Sequence, residues 1–137
     1  FVDRLFLDAN ILFSAAYRDG AGVVRLWELE GCILLSSDYA IDEARRNLLD
    51  SGQVERLDQL LETVRMVPTV SLDPQIRGAV ELREKDWPIL GGAVSAGATH
   101  LITGDHRDFG PYFGSRLFGV LILTPRSYLV QREDSAS

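Results

Sequence analysis

The stretch RLFLDANIL, residues 4–12, joins a short apolar run to an acid, Asp8, and then to a new pattern. Consecutive apolar residues without polar alternation predict a strand that is buried on both faces. After Asp8, apolar residues recur at helical spacing through Ile11, Leu12 and Ala15, and Asn10 is placed to cap that helix. A buried strand that passes directly into a helix is typical of the first unit of a parallel α/β sheet.

The same alternation continues along the chain. Further apolar runs predict strands at residues 32–36, 66–68, 99–103 and 120–123. Helical spacing predicts helices around residues 23–29, 39–49, 54–64, 74–82 and 89–97. Short apolar strands that alternate with helices predict an α/β fold with a parallel sheet covered on both faces. No repeat or linker-like segment interrupts the pattern, so residues 1–137 are expected to form a single domain.

Composition limits the class of protein. The chain has 137 residues, of which 46% are hydrophobic and 25% charged, as expected for a globular domain. It contains no apolar run of the roughly 18 residues that a membrane-spanning helix needs. The first residues lack the basic lead of a secretory signal, and the single cysteine, Cys32, excludes an internal disulfide. A cytoplasmic protein without membrane contact is therefore expected.

The chain has a net charge of −6, whereas nucleic-acid-binding proteins usually carry a basic surface. The acidity is either a general solubility bias or a concentration of carboxylates in one site. The positions of the acids along the chain distinguish these two explanations.

Four acids stand where the predicted fold would bring them together. Asp8 and Asp105 each follow a predicted strand, and ligand sites in parallel sheets lie at the carboxyl ends of strands. Glu43 lies early in the helix after the second strand, at the same end of the sheet. Asp86 begins the helix before residues 99–103, on the helix face that also carries Leu90.

Taken singly, each acid has an ordinary explanation, as a helix cap, a solvated helical residue or a turn residue. Taken together, four carboxylates would repel one another unless a cation compensated their charge. Mg²⁺ and Mn²⁺ prefer such oxygen ligands, and they activate water and neutralise charge on a phosphodiester. The pattern therefore predicts a divalent-metal site that hydrolyses nucleic acid.

Three segments carry a resemblance to a known family. They are LFLDANILFSA (residues 5–15), SDYAIDEARRNL (37–48) and KDWPILGGAVSAGATHLITGDHRDF (85–109). In order and spacing they resemble the motifs of the PIN-domain nucleases. Residues 122–125, followed by Tyr128 and Leu129, are similar to the closing strand and helix of a bacterial, toxin-like branch.

The resemblance implies a three-layer α/β/α sandwich and a Mg²⁺- or Mn²⁺-dependent ribonuclease. It assigns four residues to catalysis and to metal binding, namely Asp8, Glu43, Asp86 and Asp105. It adds Asp108 as a fifth, more weakly engaged metal ligand, and Asn10 and Thr103 as residues that orient acids or waters. Many small bacterial members are toxins that pair with an antitoxin protein and commonly form homodimers.

Basic residues near the predicted site acids suggest weak contacts with RNA phosphates. The candidates are Arg45, Arg46 and Arg107. Two further features leave alternatives open. Gly91-Gly92 inside a predicted helix indicates either close packing or a bend, and Trp87 is either a surface cover or a base-stacking platform.

Other functions remain as alternatives. A haloacid-dehalogenase-like phosphatase requires Asp-x-Asp, whereas this chain has Asp8-Ala9-Asn10, and a receiver domain requires a lysine after a late strand. Both are disfavoured. The stronger alternative is a catalytically inactive PIN-like module that acts by binding an antitoxin or another protein partner.

Overall fold

Six strands form one sheet in the computed structural model, which describes the backbone of residues 2–136 and the side chains of residues 2–133. The strands are β1 (Asp3–Leu7), β2 (Cys32–Ser37), β3 (Val64–Val67), β4 (His100–Ile102), β5 (Arg116–Leu117) and β6 (Val120–Leu123). Their order across the sheet is β3-β2-β1-β4-β6-β5. All neighbours pair in parallel except β5, which is antiparallel to β6. The predicted α/β class with a mainly parallel central sheet is confirmed.

Helices cover the sheet to give the three-layer α/β/α sandwich. They are α1 (Ala9–Tyr17), α2 (Asp38–Asn47), α3 (Ser51–Leu61), α4 (Trp87–Ser95) and α5 (Pro125–Ala136). Helix α1 contacts α2 and α3, whereas α5 packs on β6 and on the 3₁₀ helix Gly22–Glu28. Within residues 2–136, the helices are all too short or too polar to span a membrane. The predicted domain, residues 1–137, also includes Phe1 and Ser137, which lie outside the described residues.

The core forms around the central strands. Side chains of β1, β4 and β6 are fully buried, namely Leu5, Phe6, Leu7, Leu101, Ile102 and Ile122. Burying a side chain of this size stabilises the fold by roughly 1.5–3 kcal/mol. Since both faces of these strands are covered, their carboxyl ends are held firmly in place.

Several local predictions were wrong. Residues 74–82 do not form a helix: a single 3₁₀ turn, Pro74–Ile76, is followed by irregular chain. Gly78 has a φ of +61°, which a right-handed helix cannot include, and most of the segment is exposed, so little burial favours helix formation. The helical prediction for residues 23–29 is confirmed, in the form of the 3₁₀ helix Gly22–Glu28. The cap of α1 is Asp8, not Asn10, because the Asp8 carboxylate accepts the Ala9 N–H.

The glycine pair in α4 is explained by close packing. A Cβ on Gly91 would lie 2.0 Å from the carbonyl oxygen of Val70, and one on Gly92 would lie 3.2 Å from the Phe6 ring. Neither alternative proposed for Trp87 is correct, because only 2% of this residue is exposed. The Arg77 guanidinium covers its ring at 4.2 Å, so no base can stack there.

Candidate functional site

A pocket of about 390 Å³ lies at the carboxyl ends of the central strands. Strands β2 and β3 extend the sheet to one side of β1, and β4 and β6 extend it to the other, so the chain changes direction between β1 and β4. Sites in open α/β sheets lie at such a switch point. The pocket lining includes all four predicted acids, namely Asp8, Glu43, Asp86 and Asp105. The structure therefore brings together side chains that are up to 97 residues apart in the sequence, Asp8 and Asp105.

Asp8 joins the end of β1 to the end of β4. Its backbone N–H donates to Ile102 at 3.1 Å. Its carboxylate accepts the Ala9 N–H at 2.7 Å, the Thr103 hydroxyl at 2.8 Å and the Asn10 amide at 3.2 Å. Burial raises the pKa of Asp8 from 3.8 to about 6, because desolvation outweighs these hydrogen bonds. The charges of the nearby acids add to this rise, so Asp8 would bind a cation in place of a proton.

Asn10 and Thr103 link Asp8 to the loop that carries Asp105. The Asn10 side-chain oxygen accepts the Gly104 N–H at 2.8 Å. The Thr103 hydroxyl oxygen accepts the Asp105 N–H at 3.1 Å while its proton goes to Asp8. These contacts fix the position of one acid relative to the other, and the orienting role that the family resemblance implies for Asn10 and Thr103 stays a prediction.

Asp105 combines two tasks. Its Oδ1 accepts the backbone N–H groups of Arg107 at 3.1 Å and Asp108 at 3.0 Å, which closes a turn. Among the described residues, its Oδ2 has no hydrogen bond. Carboxylate oxygens of Asp86, Asp105 and Asp108 lie within 4.8 Å of one another, close enough to share a cation.

Asp86 is the least satisfied acid of the pocket. It ends the 3₁₀ turn Glu84–Asp86 directly before α4, and only 4% of it is exposed. Its Oδ2 is the one buried side-chain oxygen or nitrogen among the described residues without a hydrogen-bond partner. Burial is the largest cause that raises the pKa of Asp86 from 3.8 to about 7, and the nearby Asp108 carboxyl adds to the rise. A buried polar atom without a partner is rare in native proteins, and a bound ion or water is one of its known explanations.

Arg83 is a residue of this region that the sequence patterns did not indicate. Its guanidinium donates to both oxygens of Asp108, at 2.7 to 3.0 Å. Lys85 lies 3.5 Å from Asp86 and 3.7 Å from Asp108. These two cations partly offset the charge of the acids. The only signal in the sequence was the proximity of Arg83 to Asp86, since its partner lies 25 residues away.

The predicted RNA-binding arginines lie in different settings. Arg45 forms an ion pair with Asp58 of α3 at 2.9 Å, so its guanidinium is already engaged. Arg46 and Arg107 are exposed, and Arg107 lies in the turn that Asp105 closes. RNA contact by these three residues stays a prediction.

The raised pKa values of the acids predict how metal-free stability depends on pH. Between about pH 4 and 7 the folded chain binds more protons at Asp8 and Asp86 than the unfolded chain does, so stability falls as pH rises. The lowered pKa of Asp108 acts in the opposite sense, but only below about pH 4. We expect the melting temperature in EDTA to be several degrees higher near pH 5 than near pH 7.5.

Thermal unfolding followed by circular dichroism, at constant ionic strength, checks this prediction. The variant Asp86→Asn removes one of the two titrations and should flatten the slope. A melting temperature that rises from pH 5 to 7.5 would contradict it.

The comparisons with known proteins agree with the architecture. A family model described as PIN domain matches residues 4–107, more than half of the chain. No curated protein sequence is significantly similar to it.

The chain shares its fold with several solved structures, which include two bacterial proteins. One is VapBC2 from Rickettsia felis, in a complex with a DNA fragment from the VapBC2 promoter. The two chains are 14% identical with a TM-score of 0.66, and the match covers 88% of this chain and 98% of that chain. The other is Mycobacterium tuberculosis VapC20, described as a sarcin-ricin loop cleaving toxin, with a TM-score of 0.52 and 15% identity, over 74% and 91%. By the family match, and in agreement with the four convergent acids, the chain belongs to the PIN domain family.

Proposed function

We propose that the protein is a divalent-metal-dependent ribonuclease that hydrolyses RNA phosphodiester bonds, with Mg²⁺ or Mn²⁺ as the cofactor. The proposed metal ligands are the acids that line one pocket, namely Asp8, Glu43, Asp86 and Asp105. The observation that carries the proposal is Asp86 Oδ2, a buried oxygen without a hydrogen-bond partner in that pocket. A cation would satisfy it and would remove the repulsion between the acids.

The donor set fits the chemistry of these ions. All the candidate ligands are carboxylate oxygens, which Mg²⁺ and Mn²⁺ prefer over sulfur or imidazole. When bound, the ion supplies Lewis-acid activation of water and of the phosphodiester. Deprotonation of Asp8 and Asp86, whose pKa values are about 6 and 7, accompanies binding, so affinity should rise with pH through this range.

The other residues hold this arrangement. Asn10 and Thr103 orient Asp8 through hydrogen bonds at 3.2 and 2.8 Å. Removing partners of this kind typically costs 10–100-fold in metal affinity or activity. Lys85, at the rim of the pocket, is placed to contact a phosphate oxygen of the substrate.

RNA as the substrate follows from the family resemblance and agrees with the similarity to a sarcin-ricin loop cleaving toxin. An antitoxin protein as partner and a homodimeric state are proposed from the same resemblance. The shared fold with VapBC2 supports the antitoxin partner only. A cytoplasmic location accompanies this proposal.

Cleavage of a labelled RNA tests the function. We expect a single-stranded RNA labelled at both ends to be cut in Mg²⁺ or Mn²⁺ and to stay intact in EDTA, with cleavage restored when metal is added back. A DNA strand of the same sequence should be cut more slowly.

Two negative observations together would contradict the ribonuclease proposal. If no RNA is cut and calorimetry detects no metal binding, in RNA-free and RNA-bound protein alike, the catalytic proposal fails. The chain would then act as an inactive module that binds a protein partner.

A further inference from the structure

Asp108 does not line the pocket that the other four acids share. It lies on the wall of a neighbouring groove of about 550 Å³, together with Arg83, Arg107 and Trp87. Only 8% of its side chain is exposed, and 48% of the Arg83 side chain is. The Asp108 side chain is thus largely covered. Its oxygens face the guanidinium of Arg83 rather than the four-acid pocket.

The hold of Arg83 on Asp108 uses both carboxylate oxygens. The Arg83 Nε lies 3.0 Å from each oxygen, and a terminal guanidinium nitrogen lies 2.7 Å from Oδ2. Such paired, charge-assisted hydrogen bonds are among the strongest in proteins and fix the orientation of both groups. Both oxygens of Asp108 are therefore already paired with Arg83 before any metal arrives.

The neighbouring acids, Asp86 and Asp105, each have a carboxylate oxygen without a hydrogen-bond partner in the described part of the chain. Asp86 Oδ2 is buried and has no partner, and Asp105 uses only Oδ1 for hydrogen bonds among the described residues. Carboxylate oxygens of Asp86, Asp105 and Asp108 lie within 4.8 Å of one another, so Asp108 is close enough to share a cation with two acids of the four-acid pocket. In two-metal sites the ions stand about 3.5–4 Å apart, so a second ion would lie directly beside the first. Asp108 is the additional carboxylate that such an ion could use. Both oxygens of Asp108 accept hydrogen bonds from Arg83, so they are not free to bind a second ion.

We infer that Arg83 withholds Asp108 from the metal, so that the site binds a single divalent ion and the guanidinium stands in the place of a second. The inference rests on the proposed metal-dependent function. It differs from the sequence-based expectation that Asp108 is itself a ligand. Asp108 then acts as a positioning residue, because its oxygens hold the Arg83 guanidinium rather than contact the ion.

Counting bound Mn²⁺ tests the inference without relying on activity. Free Mn²⁺ is measured by electron paramagnetic resonance during titration of the full chain and of three variants. The wild type should bind one Mn²⁺ per chain, and Arg83→Gln should bind two, because Asp108 becomes available. The double variant Arg83→Gln/Asp108→Asn should return to one. The matched control is Arg25→Gln, which breaks an exposed ion pair with Glu133. Neither residue lines the four-acid pocket, so this variant should bind one Mn²⁺.

Each other outcome is informative. Two ions on the wild type, or one ion on both the wild type and a folded Arg83→Gln, would overturn the role of Arg83. The single variant Asp108→Asn gives an independent check, since it should still bind one ion, and loss of that ion would make Asp108 a ligand. Wild-type protein that binds no Mn²⁺ would instead remove the proposed function, so the two failures are distinguishable. Melting curves of each variant establish that it is folded.

Discussion

Replacing Asp105 by asparagine is expected to lower metal-dependent RNA cleavage by about 100-fold or more, since even residues that only orient metal ligands cost 10–100-fold. The substitution removes a negative charge from the pocket and replaces one ligand oxygen by an amide nitrogen, which cannot coordinate Mg²⁺. Initial rates on a labelled RNA at saturating Mn²⁺ measure the effect.

The fold should survive this change. Asp105 Oδ1 accepts the N–H groups of Arg107 and Asp108, and an asparagine keeps one oxygen that can accept both. Loss of a like charge near Asp8 also removes repulsion. A melting temperature close to that of the wild type would assign the lost activity to the site rather than to unfolding.

Asp42→Asn provides the matched control. It makes the same chemical change next to Glu43 but on an exposed position of α2, outside the pocket lining. It should cleave at the wild-type rate. If Asp105→Asn cleaved RNA at the same rate as the wild type, the activity would come from a contaminating nuclease. The assignment of Asp105 to catalysis would then fail.

Replacing Gly91 by alanine is expected to destabilise the protein by about 3 kcal/mol or more, the upper part of the range for overpacking a core. The new Cβ would lie 2.0 Å from Val70 O and 2.8 Å from Val70 C, both backbone atoms that no side-chain rotation can move. Alanine favours a helix over glycine by about 1 kcal/mol, which is too little to offset this clash. Urea unfolding followed by circular dichroism gives the free energy of unfolding.

Two other glycines calibrate the result. Gly92→Ala meets the Phe6 ring at 3.2 Å, a contact that the side chain can relieve by a small shift, so its cost should be smaller. A Cβ on Gly22 would have no atom within 4 Å, so Gly22→Ala should be nearly neutral. If Gly91→Ala were as stable as the wild type, the packing of α4 against Val70 would be wrong. Since α4 begins directly after Asp86, the placement of that acid would be in question too.

The part of the fold that sequence patterns predicted is the part that depends on near neighbours. Strand β1 and helix α1 follow from apolar runs and spacing within residues 4–17, and burial on both faces makes the strand pattern continuous. The failure at residues 74–82 has the same origin. Apolar residues at helical spacing were present, but most of the segment is exposed, and the positive φ of Gly78 interrupts any helix. Strand β5, two residues long, has too short a pattern to be recognised.

Sequence patterns were enough to predict the fold class and the positions of Asp8 and Asp105, because these acids follow strands whose ends must meet at one edge of a parallel sheet. Glu43 is proposed from both position and family resemblance, and Asp86 mainly from the resemblance.

Which carboxylates are free and which are paired depends on tertiary contacts. Arg83 lies 25 residues from Asp108, and Thr103 lies 95 residues from Asp8. The pKa of Asp8 and the need for glycine at position 91 depend likewise on distant segments. Periodicity within a segment cannot encode such contacts, since burial and hydrogen bonding arise only when the segments pack together.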